Sequence, residues 1–287
     1  MAAVIIPIPR RDFDPSEAAV SWKVLTELGH AVAFATPDGA QAEADPLMLT
    51  GRGLDPWGFI PGLNRITALG LIVRANREAR QAYQSMAASK AFQEPLLWQE
   101  VSAAEFDGLL LPGGHWARGM REYLESPVLQ NLIAEFFGAD KPVAAICHGV
   151  LLVARTRNAA GQSVLYGRKT VALTWALEKA AESVGRIARF WDPHYYRTYP
   201  DPPGKPKGYM SVQQEVTRAL ASPADFIDVP VGAPDYRMKT SGLARDSMTD
   251  ERPAWVVCDG NYVSARWPGD VHTFAKRFAG LLKAREA

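Results

Sequence analysis

The sequence predicts an α/β protein built around a mostly parallel sheet, and three observations carry that prediction. Short apolar runs at residues 4–8, 31–36, 107–111 and 143–146 alternate with amphipathic helix patterns. That alternation is what a parallel sheet covered by helices requires. Helix-start signals sit beside those runs, Asp14-Pro-Ser-Glu17 after the first and Ser126-Pro127 before the fourth. The chain is long enough, at 287 residues with 47% hydrophobic content, to bury one large core.

The elements follow in order. Residues 4–8 form the first strand. Asp14 then caps a helix with Pro15 at its first position and Glu17 at its third, and Gly29 ends it. Residues 31–36 form the second strand, closed by a Pro-Asp-Gly turn. From 41 to about 64 the chain is rich in Gly and Pro, and 66–89 reads as one long helix or two. The buried strand 107–111 ends in Pro112-Gly-Gly-His115. A helix runs from Pro127 to Phe137, then comes the strand 143–146. Residues 170–173 and 175–183 read as strand and helix. Strands at 254–258 and 262–266, joined by the hairpin turn Asp259-Gly-Asn261, and a helix at 271–283 close the core. One domain over 1–287 is expected, with insertions near 41–100 and 189–250. The second is too long for an ordinary connection, which makes it a cap or an assembly element.

Composition narrows the function. The formal net charge is +1 with the basic residues scattered, so no field of one sign exists to draw in nucleic acid or an anionic membrane. No apolar run is long enough to span a bilayer. The start of the chain lacks a basic segment and its apolar run is broken by Pro7, which is unlike a secretory signal. With two cysteines, Cys147 and Cys258, a disulfide framework is not expected, and a reducing, cytoplasmic setting fits. The five histidines show no paired metal spacing, and no phosphate-binding loop or dinucleotide fingerprint follows a strand. No metal and no cofactor are therefore expected.

The segment Lys141-Pro-Val-Ala-Ala-Ile-Cys-His-Gly-Val150 holds the main chemical signal. An apolar strand runs directly into Cys147, and a helix begins at once. A side chain on such a corner is held out of the sheet. A sulfur near a helix N-terminus is biased towards thiolate, the nucleophilic form. The bland alternative is a small buried hydrophobe, but the imidazole of His148 next door favours chemistry.

Two other segments can converge on this corner, where parallel strands end. Gly113 and Gly114 let the backbone approach a ligand, and with the amide of His148 they can form an oxyanion hole. His115 lines the pocket or caps its loop. Glu17 is either a capping-box residue, which the residues alone favour, or a carboxyl bonded to the sulfur. An orienting acid for His148 is offered by Glu178 or Asp192. His194, among aromatics, reads as a packing or cap residue, and Cys258, at the end of a buried strand, as structural.

The run Phe106-Asp-Gly-Leu-Leu-Leu-Pro-Gly-Gly-His115, followed by Ala144-Ala-Ile-Cys-His-Gly149, resembles the ThiJ/PfpI superfamily. Asp14-Pro-Ser-Glu17 resembles that family's early acidic motif. The resemblance covers roughly residues 4–161 and 254–282. It implies a flavodoxin-like three-layer α/β sandwich related to class I glutamine amidotransferases, with helical insertions. It also implies Cys147 as nucleophile, Glu17 as the acid sharing a proton with the sulfur, and His148 as the histidine of the protease-like and glyoxalase III-like branches. The insertion before the Gly-Gly loop is more like the larger glyoxalase III and chaperone branch. In that branch an acid follows a strand after the corner. Here that stretch reads Ala172-Leu-Thr-Trp-Ala-Leu-Glu178, with Glu178 one turn further on. The resemblance thus implies a cofactor-independent cysteine enzyme turning a 2-oxoaldehyde into a 2-hydroxy acid. A cysteine peptidase or amidase, and a stress-related holdase or oxidant sensor, are the alternatives. A cytoplasmic homodimer acting on a small molecule, with no nucleic-acid or membrane partner, is expected.

Overall fold

The computed structural model describes residues 1–286. In chain order its strands are β1 (Ala3–Pro7), β2 (Arg11–Phe13), β3 (Ala31–Thr36), β4 (Glu43–Ala44), β5 (Leu96–Leu97), β6 (Gly108–Leu111), β7 (Val143–Ile146), β8 (Val256–Asp259) and β9 (Tyr262–Ala265). The helices are α1 (Pro15–Glu27), α2 (Pro46–Thr50), α3 (Leu69–Val73), α4 (Arg77–Ala87), α5 (Lys90–Gln93), α6 (Ala117–Leu124), α7 (Pro127–Gly138), α8 (Gly149–Arg155), α9 (Trp175–Ala188), α10 (Val212–Ala219), α11 (Tyr236–Thr240) and α12 (Val271–Glu286).

Seven strands form one sheet in the order β5-β3-β1-β6-β7-β9-β8. Every pairing in it is parallel except β8 against β9. The flavodoxin-like α/β class is thus realised. The central strands β6 and β7 are buried at every residue, which is why they read as continuous apolar runs rather than alternating ones. One apolar layer packs α1, α4 and α12 on one face, through residues such as Val24, Ala79 and Phe278. The other packs α7, α8 and α10, through Leu129, Leu151 and Val212. No helix among the described residues is long and apolar enough to cross a membrane.

Of the one or two helices expected over 66–89, two are present, α3 and α4, separated at 74–76 because the Ala75 N–H donates to Met48 O and Asn76 caps α4. Two expectations are corrected. Residues 170–173 are not a strand: they make one isolated bridge, Thr170 to Phe226. Thr170 bonds the backbone of Asp225 and Ile227, and the Val171 N–H donates to the β9 side chain Ser264 Oγ at 3.0 Å. Cys258 is exposed, because β8 is the edge strand and the residue faces solvent there.

Within the 41–100 insertion, Gly51 ends α2 in the left-handed conformation, at φ 77°. A methyl group there would lie 2.4 Å from Gly70 O, so the two backbones touch and α3 is clamped against α2. The 189–250 segment is mostly turns, held by side chains rather than by a ladder. Tyr195 OH donates to Asp45 Oδ2 at 2.7 Å, Thr198 Oγ1 donates to His115 O at 2.6 Å, and Arg155 pairs with Glu215 at 2.7 Å.

Candidate active site

The site lies where β1, β6 and β7 end, and each strand delivers one part. β7 delivers Cys147, whose N–H donates to Ala265 O at 3.1 Å. The residue adopts φ 56°, a left-handed conformation that costs a non-glycine side chain of order 1–3 kcal/mol. The strain turns the side chain off the strand just before α8 begins. Burial of the residue is nearly complete, at 6% exposure.

β6 delivers the Gly113-Gly114 loop. A side chain at Gly113 would place its Cβ 2.7 Å from the His148 nitrogen and 3.0 Å from both Cys147 Cβ and Glu17 Oε2. Only glycine lets the loop approach this closely. The Gly113 N–H donates to Glu17 Oε2 at 2.6 Å and Gly113 O accepts from the Asp14 N–H at 2.8 Å. The Gly113 N–H is thus already paired with Glu17, while Gly114 lines the cavity beside Cys147.

The helix after β1 delivers Glu17. Asp14 Oδ1 caps α1 by accepting from the Ser16 and Glu17 amides at 2.8 and 3.0 Å. Glu17 does not complete a capping box. It is fully buried, turned towards Gly113 and the sulfur, and its Oε1 has no hydrogen-bond partner among the described residues. Burial, and then the neighbouring Asp14 charge, push its carboxyl well above the usual range.

The same surroundings act on the thiol. Burial and the Glu17 carboxyl push Cys147 well above the ordinary thiol value. The helix N-terminus therefore does not by itself make a resting thiolate here. Desolvation outweighs it. His148 Nδ1 lies 3.5 Å from Cys147 Sγ, and burial holds the imidazole neutral, with its pKa down to about 3.

Neither acid offered for orienting His148 is hydrogen-bonded to it. Glu178 Oε2 accepts from the Val212 N–H at 3.0 Å, and its Oε1 lies 3.2 Å from Arg197 Nε. Asp192 pairs with Arg189 at 3.1 Å. Glu178 instead helps wall the cavity that opens on Cys147, and burial raises its carboxyl to about 7.

That cavity measures about 370 Å³. Gly114 and His115 line its floor beside the sulfur. His115 is neutral, with burial lowering it to about 3, and is stacked on Tyr196 with ring centres 4.7 Å apart. Met48, Ile72 and Val73 form one apolar wall, and Leu177, Ala181 and Val184 another. Arg245 and Trp267 complete the rim. Sequence reading missed Arg245, Trp267, Asp45 and Arg197. Asp45 carries the Asp-Pro cap signal of a helix start, as Asp14 does, which could have marked α2; the other three are lone residues that no pattern marks. No three His, Cys, Asp or Glu side chains converge as a metal-ligand set among the described residues.

Fold and site define an α/β protein with a buried cysteine at a strand-to-helix corner, flanked by an acid, a histidine and a glycine loop. A family model described as ThiJ/PfpI family-like matches residues 8–205, and the chain belongs to the ThiJ/PfpI family. A deglycase of Pyrococcus abyssi is 26% identical over 188 residues, 66% of this chain and 69% of its own. An uncharacterized protein of Schizosaccharomyces pombe is 26% identical over 158 residues, 52% of this chain, and the match spans about half of that protein, 53%. Among solved structures, glyoxalase III of Candida albicans superposes with a TM-score of 0.59 at 13% identity, over 98% of this chain and 97% of its own, a likeness of fold.

Proposed function

We propose that the protein is a cofactor-independent cysteine enzyme acting on a small carbonyl compound, converting a 2-oxoaldehyde to a 2-hydroxy acid. The observation that carries this reading is the setting of Cys147 Sγ: on a cavity wall, 3.5 Å from a neutral His148 imidazole and beside the buried Glu17 carboxyl.

The sulfur adds to the aldehyde carbon as its proton passes to His148 Nδ1, and the carbonyl oxygen takes up a proton. The product is a hemithioacetal. A base then removes the C1 proton and a proton is delivered to C2, so C1 is oxidised and C2 reduced within one molecule. Glu17 and His148 are the groups placed to carry that proton. Water attacks the resulting thioester, the C–S bond breaks, the thiol is restored and the 2-hydroxy acid leaves. No outside oxidant or reductant is needed. A peptidase reading is less favoured, because His148 lacks a hydrogen-bonded carboxylate.

The test is turnover of methylglyoxal and longer alkylglyoxals, read as hydroxy-acid formation. Cys147→Ser is expected to lower kcat/KM by at least ~1000-fold. Full turnover by the variant, or none by the wild type on any of these substrates, overturns the reading. The relationship to the P. abyssi deglycase makes amine adducts of the same aldehydes a further substrate arm. A holdase function is a second reading, favoured by the exposed Phe59, Ile187 and Phe190. It predicts suppression of aggregation that survives Cys147→Ala.

A further inference from the structure

Arg245 lines the cavity without a direct ion pair among the described residues. It is half-buried on the cavity rim, and its guanidinium makes no hydrogen bond and no ion pair among the described residues. Its one close partner is the face of Trp267, with Cζ 5.3 Å from the ring centre. The three acids near enough to act on it, Asp14, Glu17 and Asp246, all have other hydrogen-bond partners. Asp14 caps α1, Glu17 accepts from Gly113, and Asp246 accepts from the amides of His272 and Thr273 and lies 3.1 Å from His272 Nδ1. Asp14 and Glu178 also line the cavity, but neither is paired with Arg245. A guanidinium cannot shed its proton to escape burial. Its N–H groups are therefore open to an acceptor that enters the cavity.

The cavity's size and lining say what enters. At about 370 Å³ it falls in the range that holds drug-sized ligands and far exceeds a three-carbon aldehyde. Its walls are mostly aliphatic, with Met48, Ile72, Leu177 and Val184 among them. A single planar guanidinium matches a monoanionic carboxylate, which it grips with two parallel hydrogen bonds. A dianionic phosphate would remain half-compensated there.

We infer that Arg245 and Trp267 form a carboxylate-binding subsite, and that the substrate is a carbonyl compound with an apolar alkyl or aryl body and one carboxylate group. The carboxylate lies on Arg245, the body fills the aliphatic walls, and the carbonyl meets Cys147. This rests on the reading of Cys147 as the reacting sulfur.

Alkylation of Cys147 by iodoacetate and iodoacetamide, in the full chain, separates the two readings. In either reaction the sulfur displaces iodide from the CH2 carbon: the S–C bond forms, the C–I bond breaks, and the thiol proton goes to His148 or solvent. Ordinary thiols prefer the neutral amide. The wild type is expected to react at least tenfold faster with iodoacetate, and Arg245→Gln to reverse that preference, with the iodoacetamide rate changed less than threefold. Equal loss for both reagents in Arg245→Gln means the arginine acts on the sulfur, and overturns the subsite. So does an unchanged preference. Failure of both reagents to label Cys147 sinks the nucleophile reading alone. The subsite is then decided by binding to Cys147→Ser, followed by tryptophan fluorescence. 3-Phenylpropionate is expected to bind at least tenfold more tightly than 3-phenylpropionamide, with the difference lost in Arg245→Gln. Equal affinities for acid and amide overturn it.

Discussion

The ends of β1, β6 and β7 and the segment 189–250 both face the same cavity, yet they are built on opposite principles. The strand ends are held by a ladder: β6 and β7 are buried at every residue, and backbone bonds place Cys147, Gly113 and Glu17 against one another. The segment has almost no ladder and is held by single polar side chains. Arg197 is its main tie, 3% exposed and facing Glu178, Glu182 and Asp201 at 3.2, 3.4 and 3.0 Å. The contrast teaches a division of labour. The sheet positions the chemistry, and the irregular segment, through Tyr196, Leu243 and Arg245, gives the cavity its contour and charge.

Removing the segment's tie is the largest expected perturbation. Arg197→Leu strands three carboxylates around a buried site, and breaking such a cluster costs about 3–5 kcal/mol. Chemical denaturation is expected to show that loss. A change under 1 kcal/mol would mean the segment is held some other way. On the sheet side, Gly113→Ala forces a methyl group against the His148 nitrogen and the Glu17 carboxyl. Turnover is expected to fall about 100-fold, comparable to the loss of one oxyanion-hole donor. If only stability drops and kcat is kept, the close approach serves packing rather than chemistry.

A subtler effect is electrostatic. Asp45, which anchors Tyr195, is raised by burial from 3.8 to about 7. Between those values the folded protein holds a proton that the unfolded chain releases. Stability therefore falls as pH rises through this window and levels off above about 7. Asp45→Asn is expected to flatten the dependence of melting temperature on pH between 5 and 8, and an unchanged slope would assign it to other groups. The smallest effect is expected at Cys258→Ser. An exposed edge-strand thiol outside the site should change stability by less than about 0.5 kcal/mol and leave turnover intact.

What could be read from the sequence follows the same line. Residues 143–146 are bounded as read, because a buried parallel strand is an uninterrupted apolar run whatever surrounds it. The Asp14-Pro15 start of α1 is equally legible, since a cap is a local hydrogen bond. Residues 170–173 misled for the opposite reason. Their β-like composition reflects packing on β9, not pairing with a neighbour. Glu17 was ambiguous because the capping position and the approach to Gly113 use the same side chain, and only the tertiary fold decides between them. Arg245 and Arg197 left no trace, since a single residue in an irregular segment has no period.

The backbone contact between Gly51 and Gly70 bears on how such a protein diversifies. It clamps together α2 and α3, which carry Met48, Ile72 and Val73 to the cavity. Substitutions on the cavity side of this pair can re-cut the cavity while the corner at Cys147 stays untouched. Duplicated copies of this chain are thus free to drift apart in cavity shape while keeping the same corner, provided those two positions remain glycine.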